Sequence, residues 1–356
     1  TGPAMSNMQN TNRTRRREPM SDTQLLLTIT ICIFFGLYIL AMLVWGGGFL
    51  RPQQVFDMLN NNAALIIVAC SLTIVMICGG IDISVGGVIS LVVMACVVFL
   101  ESTGNLFVTI LLALGIGLAF GLVQGFLIAK LEIQPFIVTL AGMFFARGMT
   151  TIISINPQKV THEGFQALMN ARIEIPWLGY VARNGNLIPA RMEMGVVVAL
   201  LIVVLVFIML RKSRLGRNFY AIGGNSQSAL MLGINVQRTR FIAHLLSSVL
   251  AGIAGFVFMM HTGAGNVSNA QGMEMDAIAS AIIGGTLLSG GVGNIFGTLF
   301  GVLTLATIKA IVTAARLNDP WWQSITTGAM LCFFILLQSV VLSMRGKRKT
   351  TRATTK

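Results

Sequence analysis

The feature that most constrains this chain is a series of long apolar runs separated by short polar stretches. A helix needs about 20 apolar residues to cross a bilayer, and most of the runs approach that length. Only 10% of the 356 residues are charged, which is too few to cover a soluble core of this size. The sequence therefore predicts an all-α polytopic membrane protein. Its candidate spans are residues 25–45, 63–78, 88–100, 106–128, 136–155, 194–210, 241–260, 277–288, 295–315 and 325–344.

The basic residues predict how these spans are oriented. With both termini in the cytoplasm, most of the 25 lysines and arginines fall on the cytoplasmic side. Because cytoplasmic loops are enriched in Lys and Arg, we expect an N-in, C-in protein with an even number of spans. Membrane topology also accounts for the net charge of +13, so no nucleic-acid partner is expected.

The same reading divides the chain into three parts. Residues 1–24 are expected to be a basic cytoplasmic tail, in which Thr1 to Ala4 look like an expression remnant before the natural start at Met5. Residues 25–344 form the transmembrane domain, with a cytoplasmic loop at 211–240. Residues 345–356 form a second basic tail.

Two of the candidate spans are short and lie beside glycine clusters. Residues 88–100 follow GGIDISVGG (79–87), and residues 277–288 overlap GGTLLSGGVGN (284–294). Short, glycine-interrupted segments in both halves of a chain are typical of broken helices around a transport pathway. We therefore expect the loop around Asp82 to dip into the membrane. Asp82 or Ser84 could cap the following helix or take part in the pathway, and both readings stay open.

Other polar residues lie within the apolar runs. Arg147 is costly at its depth, so it should face the bundle interior or extend to the outer surface. Glu274 and Asp276 are expected to open a span from the outside, and His244 and Lys309 are weaker candidates. Together, the positions expected along a pathway or gate are Asp82, Ser84, Gln124, Thr139, Phe145, Arg147, Gly290 and Gly291.

The cytoplasmic loop contains a predicted surface helix. Asn225 or Ser226 could cap a helix over 227–232, which Gly233 would end. Its apolar side chains need a covering partner, either a cytoplasmic protein or the chain's own bundle. The residues expected to couple the chain to such a partner are Gly224, Asn225, Ser226, Ala229, Leu230, Met231 and Gly233, with Leu232 also exposed.

Motifs for chemistry are missing from the sequence. It has no Walker GxxxxGK[ST], HExxH or GxSxG pattern, and no plausible cluster of His, Asp and a nucleophile. All five cysteines lie in apolar stretches without CxxC spacing, so neither disulfides nor metal ligands are expected. We expect a protein that is not an enzyme and has no metal or cofactor of its own.

Four motifs in order resemble one family. They are GGIDISVGG, QPFIVTLAGMFFARG (134–148), YAIGGNSQSALMLGINV (220–236) and EMDAIASAIIGGTLLSGGVGNIFGTLFG (274–301). This pattern is similar to the permease subunit of bacterial ABC monosaccharide importers of the ribose, galactose and xylose type, from about residue 49 to residue 342. FFARG, TLLSGGVGNIFGTLFG and PWWQ (320–323) most resemble the galactofuranose-importer type.

The resemblance implies a ten-helix type II importer fold related to vitamin B12 permeases, in a bacterial inner membrane. It also implies a second permease, identical or different, and a periplasmic sugar-binding protein. Cytoplasmic ATPases would bind ATP and Mg and dock at the segment that contains Asn225 and Gly233.

Two other classes remain open. An ion-coupled secondary transporter acting alone would want paired intramembrane carboxylates, for which Asp82 and Asp276 are candidates. A membrane-embedded scaffold or enzyme is disfavoured by the missing catalytic cluster. A third possibility keeps the ABC machinery and changes the cargo to branched-chain amino acids or a signalling furanose.

Overall fold

The computed structural model describes residues 22–181, 187–317 and 319–354. Most of the predicted N-terminal tail lies outside the described residues. The predicted C-terminal tail continues the last helix as far as Thr354.

Helices dominate the described residues. In chain order the helices are α1 Asp22–Trp45, α2 Gln53–Ile77, α3 Val85–Thr103, α4 Leu106–Ala129, α5 Pro135–Ile153, α6 Glu163–Asn170, α7 Met194–Lys212, α8 Arg214–Gly224, α9 Ser226–Met231, α10 Val236–Thr262, α11 Met273–Ile283, α12 Ile295–Ala314 and α13 Pro320–Thr354. The strands are β1 Gln158–Lys159, β2 Arg172–Val181, β3 Leu187–Glu193 and β4 Ala264–Gly265.

Nine helices in the described part are long and apolar enough to cross a membrane, and the shorter α11 corresponds to the remaining predicted span, 277–288. The fold class, an all-α polytopic membrane protein, is confirmed. We call the end of the bundle that carries α8 and α9 the inner end, because the basic residues predict that it faces the cytoplasm.

Two span predictions were wrong. The helix after GGIDISVGG is not short, since α3 has 19 residues and begins at Val85. The second predicted span begins ten residues too late, because α2 already starts at Gln53. Its polar residue Asn60 does not end the helix: its side chain donates to Arg191 O (3.2 Å) and accepts from Glu193 N (2.9 Å). The prediction of a short segment near 277–288 is confirmed by α11, which has 11 residues.

The core is built around α2, whose residues from Ala63 to Ile77 are buried without interruption. Helices α7, α10, α11 and α12 pack around it. Small residues let α4 pack closely against α10. A Cβ added to Gly117 of α4 would lie 2.6 Å from Ser248 O of α10. Such contacts between small residues let membrane helices approach closely.

Two small antiparallel pairs of strands lie at the outer end. Strands β2 and β3 form a hairpin in which Arg172 pairs with Glu193. Strand β1 pairs with β4, so that Gln158 lies opposite Gly265. The hydropathy pattern predicts only an outer loop for this stretch. The alternation in RIEI at the start of β2 is a strand signal that could have been recognised.

Candidate functional site

The segment 263–272, between α10 and α11, runs down inside the bundle beside α3. Gly265 lies against Met94, the Ser90 hydroxyl donates to Val267 O (3.3 Å), and Ala270 O lies beside Gly86. Met94, Ser90 and Gly86 lie on successive turns of α3 toward its N-terminus. The segment therefore descends about 12 Å along α3. As a result, α11 begins within the bundle.

The segment 78–84 enters from the inner end. Ile81 O accepts from the Thr139 hydroxyl of α5 (3.5 Å), and Asp82 contacts Ser247 of α10. Ser247 lies eleven residues from the start of α10, which corresponds to about 16 Å along the helix. Helix α3 thus also begins inside the bundle, and the prediction that the Asp82 loop dips inward is confirmed.

The first turns of α3 and α11 meet. A Cβ added to Gly86 would lie 3.1 Å from Ala270 O and would collide with Oε2 of Glu274. Helix N-termini carry partial positive charge that favours carboxylates, and Asp82 and Glu274 occupy these two positions. We predicted that Glu274 and Asp276 open a span from the outside, and both do lie in the first turn of α11. The descent of segment 263–272 recesses that turn inside the bundle.

Asp82 is fully buried, and both of its oxygens accept hydrogen bonds. Oδ1 accepts from Ser84 N (3.0 Å) and Ser84 Oγ (2.6 Å), and Oδ2 accepts from Ser247 Oγ (2.7 Å). Ser84 precedes α3 but its side chain makes no capping bond, so that part of the capping prediction was wrong. Asp82 orders the turn before the helix by accepting the Ser84 N–H. A direct role of Asp82 in the pathway stays a prediction.

Several buried polar groups surround Asp82. The Gln124 amide lies 3.1 Å from Ser84 Oγ, and Thr139 donates to Pro135 O in its own helix (2.9 Å). Among the described residues, Gln124 Nε2, His244 Nδ1 and Ser248 Oγ have no protein partner. A cavity of about 120 Å³ lies on the inner side of this cluster and is lined partly by His244. The cluster thus offers hydroxyl, amide and imidazole groups inside the membrane.

Arg147 faces the bundle interior and does not extend to the outer surface. Its guanidinium donates to Asn269 O (3.4 Å) and Ala270 O (3.3 Å) of the descending segment. The neighbouring Phe145 points the other way, with 62% of its surface exposed and its ring 6.1 Å from that of Phe120. Helix α5 therefore contacts both recessed segments with one face and presents an aromatic surface with another.

Helix α9 forms at the inner end much as predicted. Asn225 Oδ1 caps it by accepting from Ser228 N (2.9 Å), and Gly233 follows it with φ +80°. Leu230 and Met231 are 63% and 88% exposed. Ala229 was expected on the same exposed face, which was wrong. It is only 2% exposed, because it lies on the side of this short helix that faces the bundle.

A groove of about 560 Å³ lies beside α9. Its lining includes Ser226, Leu230 and Gly233 of the predicted coupling residues. Glu132 and Arg240 contribute charged side chains to the same groove. The inner end thus combines an exposed apolar helix with an adjoining groove that carries both an acidic and a basic side chain.

A glycine joint connects α8 to the loop after α11. Gly291 N donates to Ile77 O (2.9 Å), and a Cβ added to Gly290 would lie 2.9 Å from Gly223 O. Gly290 and Gly291 have φ of +86° and +73°, a conformation that favours glycine. They lie at the inner end against Gly223 and Gly224, where the sharp turn brings the two backbones together. Their predicted role along a pathway or gate stays a prediction.

Sequence reasoning missed two contacts in these regions. The Tyr220 hydroxyl donates to Gly293 O (2.9 Å) and ties α8 to the same loop. Burial raises the pKa of Tyr220, so the hydroxyl remains a neutral donor. Ser247, which holds Asp82 from α10, is one of two adjacent serines in an apolar run. No pattern in the sequence marks it, because only the tertiary fold brings α10 to Asp82.

Residues 54–335 match a family described as branched-chain amino acid transport system / permease component. The chain is 37% identical to the inner membrane ABC transporter permease protein YjfF of Escherichia coli, over 93% of this chain and 96% of that protein. It is 31% identical to the fructose import permease protein FruG of Bifidobacterium longum, over 92% and 95%. It is 33% identical to the ribose import permease protein RbsC of Bacillus subtilis, over 85% and 91%. No solved structure matches the chain significantly.

Proposed function

This chain belongs to the ABC transporter permease family described as branched-chain amino acid transport system / permease component, and from that premise we propose that it carries a monosaccharide across the bacterial inner membrane as part of an ATP-driven importer. The observation that carries the proposal is the similarity over nearly the whole length to permeases named for fructose and ribose import. The resemblance of its motifs to galactofuranose-importer permeases makes galactofuranose or galactose the first sugars to test.

The chemistry of the interior suits an uncharged, hydroxyl-rich cargo. The polar groups around Asp82 are mainly hydroxyls and amides, including Ser84, Gln124 and Ser248. Such groups can exchange hydrogen bonds with sugar hydroxyls without a large electrostatic cost. Weak recognition of this kind lets the cargo leave. Specificity would then lie mainly in a periplasmic sugar-binding protein that delivers the sugar to the outer end.

The pathway lies between two permeases in this proposal. The cavity beside His244 holds about 120 Å³, whereas sites for small molecules usually measure 300–1,000 Å³. The packed core of one chain leaves little room for a sugar. Helix α5 is the best candidate to face the second permease, because Phe145 is exposed while Thr139 and Arg147 contact the two recessed segments. Both another copy of this chain and a different permease would fit this arrangement.

Coupling begins at α9. A cytoplasmic ATPase that binds ATP and Mg docks on Leu230 and Met231, so the chain needs no cofactor of its own. Movement of α9 reaches α8, which contacts the loop after α11 through Tyr220 and Gly223. That loop is joined to α2 by the bond from Gly291 to Ile77. ATP-driven closure of the ATPases is thereby converted into movement of the recessed helices.

The test is reconstitution in liposomes with the partner ATPase, permease and sugar-binding protein, followed by uptake of a panel of labelled sugars and leucine. Leu230→Asp should reduce ATP-driven uptake at least tenfold while the amount of inserted protein is unchanged, because a buried carboxylate disrupts an apolar interface. Leu317→Asp is the matched control, since Leu317 is also exposed but lies at the outer end.

Normal ATP-driven uptake by Leu230→Asp would contradict docking at α9. Uptake of leucine in place of sugars would retain the ABC machinery and change the cargo. Sugar uptake by this chain alone, driven by an ion gradient, would favour a secondary transporter that uses its buried carboxylates Asp82 and Glu274.

A further inference from the structure

A groove of about 680 Å³ opens at the inner end between α1, α7, α8 and α12. One wall is apolar: the rings of Phe207 and Phe296 pack with centroids 4.5 Å apart, and Leu27 of α1 lies beside them. Arg211 and Arg217 form the basic part of the lining. The groove is therefore amphipathic along its length.

The guanidinium groups of Arg211 and Arg217 use few of their N–H donors in contacts with the described residues. Arg211 lies over the Phe207 ring, 5.7 Å from its centroid, and Arg217 donates to Lys212 O at 3.5 Å. Among the ion pairs of the described residues, neither has a carboxylate partner. No acidic side chain lines this groove in the part of the chain that the structure describes. Two guanidinium groups that face one cavity, with no carboxylate among its described lining residues, favour an anionic ligand.

The position of the groove identifies the ligand class. Arg211 is in the last turn of α7, a candidate membrane span that ends at Lys212. Arg211 thus lies at the boundary where lipid headgroups begin, and Phe207 lies one turn deeper at the level of the acyl chains. Basic pockets between membrane helices on the cytoplasmic side are suited to anionic headgroups. A free inorganic anion would leave the apolar wall unused.

We propose that this groove binds an anionic phospholipid from the inner leaflet. The phosphate contacts Arg211 and Arg217, and the first part of an acyl chain lies along Phe207, Phe296 and Leu27. Tyr220 and Gly293 also line the groove, so the lipid adjoins the glycine joint between α8 and the loop after α11. The binding claim stands independently of the transported cargo.

The experiment is native mass spectrometry of the delipidated full chain in detergent, titrated with phosphatidylglycerol or phosphatidylethanolamine. The unmodified protein should retain phosphatidylglycerol at least fivefold more than phosphatidylethanolamine. The double variant Arg211→Gln with Arg217→Gln should lose at least fivefold of that retention. Lys212→Gln with Arg214→Gln is the matched control, because it removes the same charge from neighbouring residues that do not line the groove. This control should stay within twofold of the unmodified protein.

Three results would overturn the proposal. The first is equal retention of the two lipids by the unmodified protein, which needs no variant to fold. The second is equal loss in the two double variants, which would indicate diffuse charge attraction. The third is displacement of the bound lipid by millimolar inorganic phosphate, which would identify a site for a free anion.

Discussion

Two helices begin inside the bundle, and the carboxylates at their starts are held in different ways. Asp82, before α3, has partners on both oxygens within 3.0 Å, from Ser84 and Ser247. Glu274, in the first turn of α11, is only 8% exposed, yet its Oε2 has no hydrogen-bond partner among the described residues. Arg147 lies nearby but donates to backbone carbonyls. The Asp82 carboxylate is thus fully satisfied, although Gln124, His244 and Ser248 around it keep unpartnered atoms. Glu274 itself retains an acceptor that can take a new partner when the helices move.

The largest effect on stability is expected from Asp82→Ala, which tests how much the hydrogen bonds of Asp82 stabilise the first region. The change leaves the Ser84 N–H and the buried Ser247 hydroxyl without their acceptor, while Ser84 Oγ keeps only the Gln124 amide oxygen. We expect a loss of about 3 kcal/mol in the free energy of unfolding, measured by denaturant titration in detergent. Asp82→Asn should lose less, because the amide oxygen still accepts.

Uptake per folded molecule separates the two readings of Asp82. A purely structural role predicts uptake that falls only with folded yield. A further loss per folded molecule would support a role in the pathway. If the Asp82→Ala variant unfolds like the unmodified protein, the hydrogen bonds of Asp82 do not stabilise the fold. The contrast between Asp82 and Glu274 would then not hold.

Gly86→Ala probes the contact between the two regions. The added methyl would meet the Glu274 carboxylate and Ala270 O, so we expect a loss of about 2 kcal/mol from overpacking. Gly148→Ala is the matched control, because nothing lies within 4 Å of its added Cβ. The same unfolding titration should show Gly148→Ala to be neutral or slightly stabilising. Equal behaviour of the two variants would mean that the first turns are not in tight contact.

Lys309→Met tests a charge that is well paired within the second region. Lys309 Nζ lies 2.5 Å from Asp276 Oδ2, and both side chains are partly exposed. The loss should be about 1 kcal/mol, between the values for exposed and buried ion pairs. Thermal unfolding in detergent is a sufficient measurement. An unchanged Tm would show that Thr327, which also contacts Asp276 at 3.4 Å, satisfies the carboxylate alone.

The smallest effect on stability is expected from Glu274→Gln, at under about 0.5 kcal/mol, because a half-satisfied carboxylate contributes little that an amide cannot replace. Its effect on transport should be larger than its effect on unfolding. The measurement pairs unfolding with uptake per folded molecule. A loss of stability as large as that of Asp82→Ala would erase the difference between the two regions.

The sequence predicted the parts of this fold that depend on local patterns. Hydropathy identified the helices, and Asn225 and Gly233 marked the bounds of α9 to within one residue. Features set by tertiary contacts were not predictable. Asn60 looks like a helix boundary until β3 satisfies its amide, and the burial of Ala229 depends on which side of α9 meets the bundle. The depth of segment 263–272 likewise depends on α3, which is distant in sequence.

The glycine joint has a mechanical consequence. Gly223 and Gly290 meet main chain to main chain, and Gly291 is bonded directly to the backbone of α2. Side chains usually absorb small shifts between packed elements by changing rotamer, and here none stands between the two backbones. A shift of α8 by about one ångström would therefore be passed directly to the loop after α11. The displacement of this loop should therefore depend on how far α8 moves and not on which solute is transported.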